Sequence, residues 1–258
     1  MLLLIQKISL MLAIAIALTA CNQVRPSNQN IGTSQTTNEV AAANLDLGIE
    51  YMKQGAYENS LKNLEKAKQA DPAYAPTYNV IGLLYQRLGD NKKAEDNFKR
   101  ALSLNNNDSS TLNNYGNYLC QQNRLEEAEK TFLKAAANPL YETPEIAITN
   151  AGLCLSNHQR EDDAEKYYRQ ALQINPLVPQ ALIKMCEISF KQPNYLSARG
   201  YLQRYQQAAR HTARSLWLGI QIEQELGDKD AVSSYALQLK NNYPDSQEAT
   251  LLHESRIQ

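Results

Sequence analysis

Four cysteine thiols are the side chains of this 258-residue sequence with the clearest chemistry: Cys21, Cys120, Cys154 and Cys186. A thiol can be acylated, can join another thiol in a disulfide, or can bind a metal as a thiolate. A zinc site uses pairs of ligands at close spacing, and these cysteines lie far apart in the sequence. Their spacing therefore favours acylation and disulfide formation over metal binding.

The remaining groups that could act in catalysis are scattered. We expect the three histidines to occupy exposed turn or helix positions, since none lies beside a nucleophile or a second metal ligand: His158, His211 and His253. Five clustered carboxylates lie beside lysines and arginines, as on solvated helix faces: Glu126, Glu127, Glu129, Asp162 and Asp163. The glycines occur singly, so no phosphate-binding loop is present. The sequence predicts no enzyme activity, no cofactor and no metal site.

Cys21 follows Leu18-Thr19-Ala20 at the end of an apolar run that begins at Ile8, and Lys7 is the only charged side chain before it. The run is too short to span a bilayer and has the size of the apolar region of a signal peptide. Leu-Thr-Ala-Cys resembles the lipobox of bacterial lipoproteins, in which the cysteine is acylated and becomes the new N-terminus. The resemblance implies a signal peptide over 1–20 and lipidation of Cys21. The alternative is an ordinary secretory signal with a chance cysteine.

Asn22 follows Cys21, where lipoproteins retained at the inner membrane typically carry aspartate. The lipobox resemblance thus implies a lipid anchor on the periplasmic face of the outer membrane. Formal net charge is −1, from 26 basic and 27 acidic residues. This balance argues against nucleic acid as a partner and against electrostatic binding to a membrane. Residues 21–40 are polar and lack apolar periodicity, which predicts a flexible tether, although docking of part of this stretch on the folded domain is the alternative.

Three sets of residues recur together from residue 41 onward. Small residues recur at intervals of 34, 34, 36, 34 and 33: Gly48, Gly82, Gly116, Gly152, Cys186 and Gly219. A second set is also small: Ser60, Ala94, Ala128, Ala164, Ala198 and Ala231. A third set, four residues after the second, is larger: Leu64, Phe98, Phe132, Tyr168, Leu202 and Tyr235. Agreement of the sets over five successive intervals indicates a repeat protein.

This pattern is similar to the tetratricopeptide repeat. It predicts an all-α fold, a right-handed superhelix of six helical hairpins around a concave groove. The six units are 41–74, 75–108, 109–144, 145–178, 179–211 and 212–245, and an end helix follows in 246–258. We expect the small residues where the two helices of a hairpin cross, and the larger residues of the third set in the gap against the next unit. Cys186 stands in the glycine register, which indicates a buried free thiol.

The first helix of each hairpin is expected to line the groove. Helical spacing places these side chains there: Leu45, Ile49 and Met52 in unit one, Asn79, Leu83 and Gln86 in unit two, and Asn113, Asn117, Thr149 and Leu153 in units three and four. An apolar wall beside an amide-rich one suits an amphipathic segment or a strand of a partner protein. The alternative is that Leu45 and Ile49 cover the first unit against its own tether.

Cys120 and Cys154 fall on the first helices of adjacent units, one repeat length apart. Because stacked repeats bring equivalent positions close, we favour a disulfide between them. Two buried free thiols are the alternative.

The whole chain resembles the type IV pilus biogenesis lipoproteins called PilF or PilW. The most telling stretches are Asn113–Cys120 (NNYGNYLC) and Asn150–Cys154 (NAGLC). The resemblance implies a pilotin, which binds secretin subunits in the periplasm, carries them to the outer membrane and supports their assembly into a ring. We expect such a protein to be monomeric before it binds its client. A periplasmic adaptor that recruits peptidoglycan hydrolases or a protease is the alternative on the same repeats.

Overall fold

A computed structural model of the chain describes residues 33–255, with side chains from Glu39 onward. Within that range the chain forms thirteen helices and no strand: α1 (Thr33–Lys53), α2 (Tyr57–Ala70), α3 (Ala75–Arg87), α4 (Asn91–Leu104), α5 (Ser109–Gln121), α6 (Leu125–Ala136), α7 (Pro144–Asn157), α8 (Glu161–Ile174), α9 (Pro179–Lys191), α10 (Tyr195–Ala208), α11 (Ala213–Leu226), α12 (Lys229–Asn242) and α13 (Gln247–Glu254). The predicted signal peptide, Cys21 and residues 21–32 of the predicted tether lie outside the described residues.

Twelve of these helices pair as six hairpins, α1 with α2 through α11 with α12, and α13 follows the last. The hairpins stack in chain order into a right-handed superhelix, so the predicted all-α repeat architecture is confirmed. None of the helices in residues 33–255 combines the length and the apolar character needed to cross a membrane.

Short polar connections set where the helices begin. The carboxylate of Asp90 accepts a hydrogen bond from the backbone N–H of Lys93 at 3.1 Å, and that of Asp108 accepts one from Thr111 at 2.9 Å. Such caps satisfy N–H groups that the first turn of a helix leaves free. Inside the hairpins the turn requires a left-handed residue, supplied by Gly89 at φ 77° and, in unit four, by Gln159 at φ 64°.

The two helices of a hairpin cross at the small residues of the glycine register. A Cβ atom added to Gly116 would lie 2.7 Å from the ring of Phe132, and one added to Gly82 would lie 2.9 Å from the ring of Phe98. Each aromatic ring therefore packs on the glycine of its own unit. The expectation that these larger residues fill the gap against the next unit holds for Phe98, whose ring centroid lies 5.8 Å from that of Tyr115 and 5.7 Å from that of Tyr118, both in unit three.

The end of the superhelix at unit six is covered by α13. Leu252 of α13 is fully buried and packs with Leu216 and Ile220 of α11 and with Leu239 of α12. The apolar core thus continues through the last hairpin and is covered there by a single amphipathic helix.

The first helix begins at Thr33, eight residues before the predicted start of unit one. Residues 33–40 contain no proline and no glycine, so nothing in that stretch interrupts a helix. Part of the predicted tether is therefore a continuation of α1.

Candidate partner-binding surface

Two residues that the sequence places on the groove wall of unit one lie in the core. Leu45 is 5% exposed and Met52 is 6% exposed, and both pack with Leu64, Ile81 and Leu84. They lie three residues before and four residues after Gly48, so they share its helix face. That face packs on α2, because Gly48 contacts Leu64. The prediction that Leu45 and Met52 line an open groove is wrong, and only Ile49 of the three is half-buried at the edge of this cluster.

The large apolar residues exposed on α1 are Val40 and Leu47, at 47% and 49%. They lie seven residues apart, on one face of the helix. In each later unit the residue at the position of Leu47 is buried: Ile81, Tyr115, Ala151, Met185 and Leu218. A preceding hairpin covers those five, whereas no helix of the described residues precedes α1. We name Val40 and Leu47 the end surface.

The end surface was not predicted from the sequence, although the repeat supplies the signal. Leu47 directly precedes Gly48, and the residue directly before the small residue is apolar in every unit. Such a position packs against the preceding unit, and in unit one there is no preceding hairpin among the described residues. The position of Leu47 in the repeat is therefore enough to identify it as an interface residue that no hairpin among the described residues covers.

Three of the amides predicted for the groove, Asn79, Gln86 and Asn113, each bond to an amide of the next unit that was not predicted. The Nδ2 of Asn114 donates to Oδ1 of Asn79 at 3.1 Å, joining α5 to α3. The Nδ2 of Asn150 donates to Oδ1 of Asn113 at 2.9 Å, joining α7 to α5. A third pair links α3 to α5 near the opposite end of the helices, where Nε2 of Gln86 donates to Oε1 of Gln121 at 2.6 Å. The first helices of units two to four are thus connected by three amide pairs, which we name the amide array.

An open cavity of about 380 Å³ lies over the amide array. Its walls come from α3 and α5: Leu83, Gln86, Arg87, Asn114, Asn117 and Gln121. The structure therefore brings together the predicted residues Leu83, Gln86 and Asn117. Asn79 is almost buried beneath them, and Asn113 and Leu153 are half-buried further along.

Thr149 does not belong to this surface. It is 2% exposed, and its hydroxyl donates to the backbone oxygen of Glu145 at 2.7 Å. The prediction that Thr149 lines the groove is wrong, because its side chain is buried and its hydroxyl is hydrogen-bonded within its own helix.

The first and second helices of the middle units differ in charge. Across the first helices of units two to four the charged residues are Arg87 on α3 and Glu145 on α7, and α5 has none. Glu145 is buried and accepts from Nδ2 of Asn175 at 3.1 Å. The second helices α4 and α6 carry mixed charges throughout. The inner face of the middle units is therefore nearly neutral.

Ion pairs on the charged helices connect neighbouring units. The guanidinium of Arg124 lies 2.7 Å from the carboxylate of Glu95, which also accepts from the hydroxyl of Tyr115 at 3.1 Å. Hydrogen bonds from Arg124 lower the pKa of Glu95 to about 2, and burial beside that carboxylate raises the pKa of Tyr115 to about 12. These charges stabilise the stacking of units two and three and lie apart from the neutral cavity.

Cys120 of α5 and Cys154 of α7 form a disulfide, with their Cα atoms 5.8 Å apart. This is the pair that the repeat spacing favours. The ring of His158 lies close by, and its Nδ1 is 2.8 Å from the backbone oxygen of Cys154. In the described part of the chain, the two sulfurs and this histidine form one group of potential metal ligands within 4.8 Å. Sulfurs joined in a disulfide lack the thiolate form that binds a metal, so the group as it stands is not a metal site.

Two other groups with possible chemistry lie inside the repeats. Cys186 is a buried free thiol whose pKa is raised to about 12 by burial. His211, which the sequence analysis places at an exposed position, is half-buried between the rings of Tyr205 and Tyr235. That expectation is wrong for His211, since the last two hairpins close around the connection between them, and burial lowers its pKa. It is also wrong for His158, which is half-buried where its ring contacts the backbone of Cys154.

Comparison with known proteins places this geometry in a family. Family models of the tetratricopeptide repeat match residues 39–107, 79–142 and 147–176. The type IV pilus assembly protein PilF of Pseudomonas aeruginosa is 32% identical over 241 residues, which cover 93% of this chain and 95% of that protein. The chain belongs to the PilF/PilW family.

Solved structures of the family share the fold. The structure of Pseudomonas aeruginosa PilF is 30% identical and has a TM-score of 0.74, and the match covers 86% of this chain and 100% of that one. A crystal structure of PilW, described as a widely conserved type IV pilus biogenesis factor, is 32% identical and has a TM-score of 0.70, over 83% of this chain and 99% of that one. Membership in the PilF/PilW family supports a role for this chain in type IV pilus biogenesis.

Proposed function

We propose that this protein is an outer-membrane lipoprotein pilotin, which binds secretin subunits and promotes their localisation and their assembly into multimers. The observation that carries the proposal is the end surface, where Val40 and Leu47 are exposed although the residues at the position of Leu47 are buried in all five later units. Exposed apolar side chains at the end of a repeat array are a surface for a partner. Membership in a family of pilus proteins suggests that this partner belongs to the pilus machinery.

The proposed anchor lies close to the proposed binding surface in the sequence. Cys21 precedes the start of α1 at Thr33 by 12 residues, a stretch that spans at most roughly 40 Å. If Cys21 is acylated, as its Leu-Thr-Ala context suggests, the start of α1 lies within that distance of the membrane to which the client must go. We accordingly propose that the lipid sets the destination and that the repeats hold the client.

The proposed role is non-catalytic. A pilotin acts by holding its client, and the three histidines lie on different hairpins or on the end helix, far apart along the array. The surfaces available to a partner are apolar at the end of the array and amide-lined in the groove, which suits protein binding.

The test is fractionation of secretin multimers from a strain that lacks the gene, complemented with wild type, Leu47→Gln or Leu237→Gln. Leu237 lies on α12 and is 60% exposed, so it provides a matched control at the other end of the array. We expect wild type and Leu237→Gln to restore outer-membrane multimers and Leu47→Gln to fail.

A Cys21→Ser variant tests the anchor separately. It should still capture secretin subunits in vitro but leave them away from the outer membrane. Normal secretin multimers in the deletion strain, together with altered cell-wall cross-linking, would contradict the pilotin proposal and support an adaptor of peptidoglycan hydrolases.

A further inference from the structure

We propose that Cys120 and Cys154, when their disulfide is reduced, bind a zinc ion together with His158. The inference goes beyond the proposed function and does not depend on it. The Sγ atoms of the two cysteines and one ring nitrogen of His158 lie within 4.8 Å of one another. In a tetrahedral zinc site, bonds of about 2.0–2.3 Å place the ligand atoms roughly 3.5–3.8 Å apart. Small rotations of the three side chains therefore reach the geometry that zinc requires.

The hydrogen bond of His158 leaves one ring nitrogen for a metal. Its Nδ1 lies 2.8 Å from the backbone oxygen of Cys154. A carbonyl oxygen can only accept, so Nδ1 is the donor in this bond and carries the proton. Nε2 of the neutral ring then keeps its lone pair. Metal-binding histidines have the same arrangement, in which the other ring nitrogen donates to a carbonyl or a carboxylate and fixes the ring.

The ends of two helices position the three ligands. Cys120 lies in the last turn of α5, Cys154 lies in the last turn of α7, and His158 caps the C-terminus of α7. Cys154 and His158 are four residues apart and so share a helix face. A helix C-terminus carries a partial negative charge on its free carbonyl groups and favours a cation. Two such ends meet here, so the backbone favours bound Zn²⁺ over two free thiolates.

The repeat does not account for these ligands. The sequence predicts no metal site because Cys120 and Cys154 lie 34 residues apart, and the stacking of units three and four brings them together. His158 lies six residues after the crossing residue of its unit, a position that holds other residues in the remaining five units: Gln54, Leu88, Gln122, Gln192 and Glu225. The fold therefore accepts an amide, a carboxylate or leucine at this position, and histidine adds a metal ligand that the packing does not need.

The site is shielded from solvent but open at one edge. Cys120 is 9% exposed and Cys154 is 4% exposed, whereas His158 is half-buried and forms the outer edge. Two thiolates and one imidazole are a ligand set that zinc uses with a water molecule in the fourth position. Thiolates also select zinc over magnesium and calcium, which prefer oxygen ligands. The chemistry of the three side chains therefore fits Zn²⁺.

The disulfide and the zinc site are two states of the same residues. A dithiol reduces the disulfide by exchange, transfers two electrons and two protons to the cysteines, and is itself left as a disulfide. Binding of Zn²⁺ then releases the two protons as the thiols become thiolates. In the reverse direction the thiolates give two electrons to the disulfide of another protein, which takes two protons from solvent and becomes a dithiol, and Zn²⁺ is freed. Helices α5 and α7 are tied together in both states.

The experiment uses the full-length chain, purified in detergent. The disulfide is reduced with a phosphine, the reductant is removed in the absence of oxygen, and Co²⁺ and then Zn²⁺ are added. We expect the reduced protein to bind Co²⁺ and to show a thiolate-to-cobalt charge-transfer band that Zn²⁺ abolishes. The oxidised protein should show no such band, because its sulfurs are bonded to each other.

His158→Gln distinguishes a zinc site from a pair of free thiols. Glutamine occupies the same position in units one, three and five, so the variant should fold. The zinc affinity of the reduced variant, measured by competition with a chromogenic chelator, should be at least about tenfold below that of wild type, since loss of an outer-shell partner alone costs about 10–100-fold. His253→Gln and Cys186→Ala are the matched controls and should bind zinc as wild type does.

Melting curves give a second measurement. Zn²⁺ should raise the Tm of reduced wild type, because it binds the folded chain, and should leave the Tm of the oxidised protein unchanged. Equal zinc affinity of reduced wild type and His158→Gln would overturn the proposal, and so would equal affinity of Cys120→Ser/Cys154→Ser. These measurements do not involve secretin, so their failure leaves the pilotin proposal as it stands.

Discussion

Leu47 of α1 and Ile81 of α3 occupy the same position in successive units, yet Leu47 is 49% exposed and Ile81 is 1% exposed. The helix geometry around them is the same, since each directly precedes a glycine of the hairpin crossing. They differ only in what lies before them: unit one covers Ile81, and no helix of residues 33–255 covers Leu47. Within residues 33–255 the apolar side chain of Leu47 is therefore left uncovered, which is the basis of its proposed role in binding.

This difference predicts unequal costs for the same truncation. Ile81→Ala should lower the free energy of unfolding by about 2–5 kcal/mol, because it leaves a cavity in a packed core. Leu47→Ala should change it by less than about 0.5 kcal/mol. Urea denaturation followed by circular dichroism measures both. Equal destabilisation would show that Leu47 is covered in the folded protein.

The disulfide should contribute measurably to stability. It closes a loop of 34 residues, and the entropy lost by the unfolded chain corresponds to roughly 3–4 kcal/mol. Cys120→Ser/Cys154→Ser should therefore melt at a lower temperature than wild type. A thiol reductant should lower the Tm of wild type and leave that of the double variant unchanged. Cys186→Ala is the control, since it removes a thiol but should keep the response to reductant.

The crossing glycines should tolerate no added methyl group. Gly116→Ala places a Cβ atom 2.7 Å from the ring of Phe132, which is itself fully buried, so we expect destabilisation of about 1–3 kcal/mol. Gly200 of α10 offers the matched control, since a Cβ atom there meets nothing within 4 Å. Gly200→Ala should stabilise the helix by up to about 1 kcal/mol. The idea that the register is set by close packing fails if both variants have the stability of wild type.

His211 should make the last two units sensitive to acid. Its Nδ1 lies 3.0 Å from the hydroxyl of Ser215, and the rings around it are Tyr205 and Tyr235. Burial lowers the pKa of His211 below its ordinary 6.5, so the unfolded chain binds a proton more readily than the folded one. Stability is then fully present above pH 6.5 and is lost as the pH falls through and below that value.

Melting curves between pH 5 and 7.5 measure this effect. The Tm of wild type should fall towards pH 5 more steeply than that of His211→Gln, because glutamine does not titrate. His253→Gln, at an exposed position on α13, should keep the slope of wild type. Parallel curves for wild type and His211→Gln would contradict the prediction.

Much of the candidate site followed from periodicity, and the errors have a common cause. The sequence predicted the groove position of Leu83, Gln86 and Asn117 and favoured the pairing of Cys120 with Cys154, because all of these depend on which residues share a helix face in adjacent repeats. It misplaced Leu45, Met52 and Thr149, since an offset of one position around a helix turns a side chain by about 100° and exchanges core for surface.

The sequence alone determined the repeat, its six units and the amide-rich wall of the middle units, because these depend on residue types at fixed spacing. Only the tertiary structure decided which α1 residues remain uncovered, that the aromatic rings pack on the glycines of their own hairpins, and that the groove amides pair across units. Those features depend on the angle at which helices cross and on what each unit meets at its ends. Residue spacing along a single helix does not contain that information.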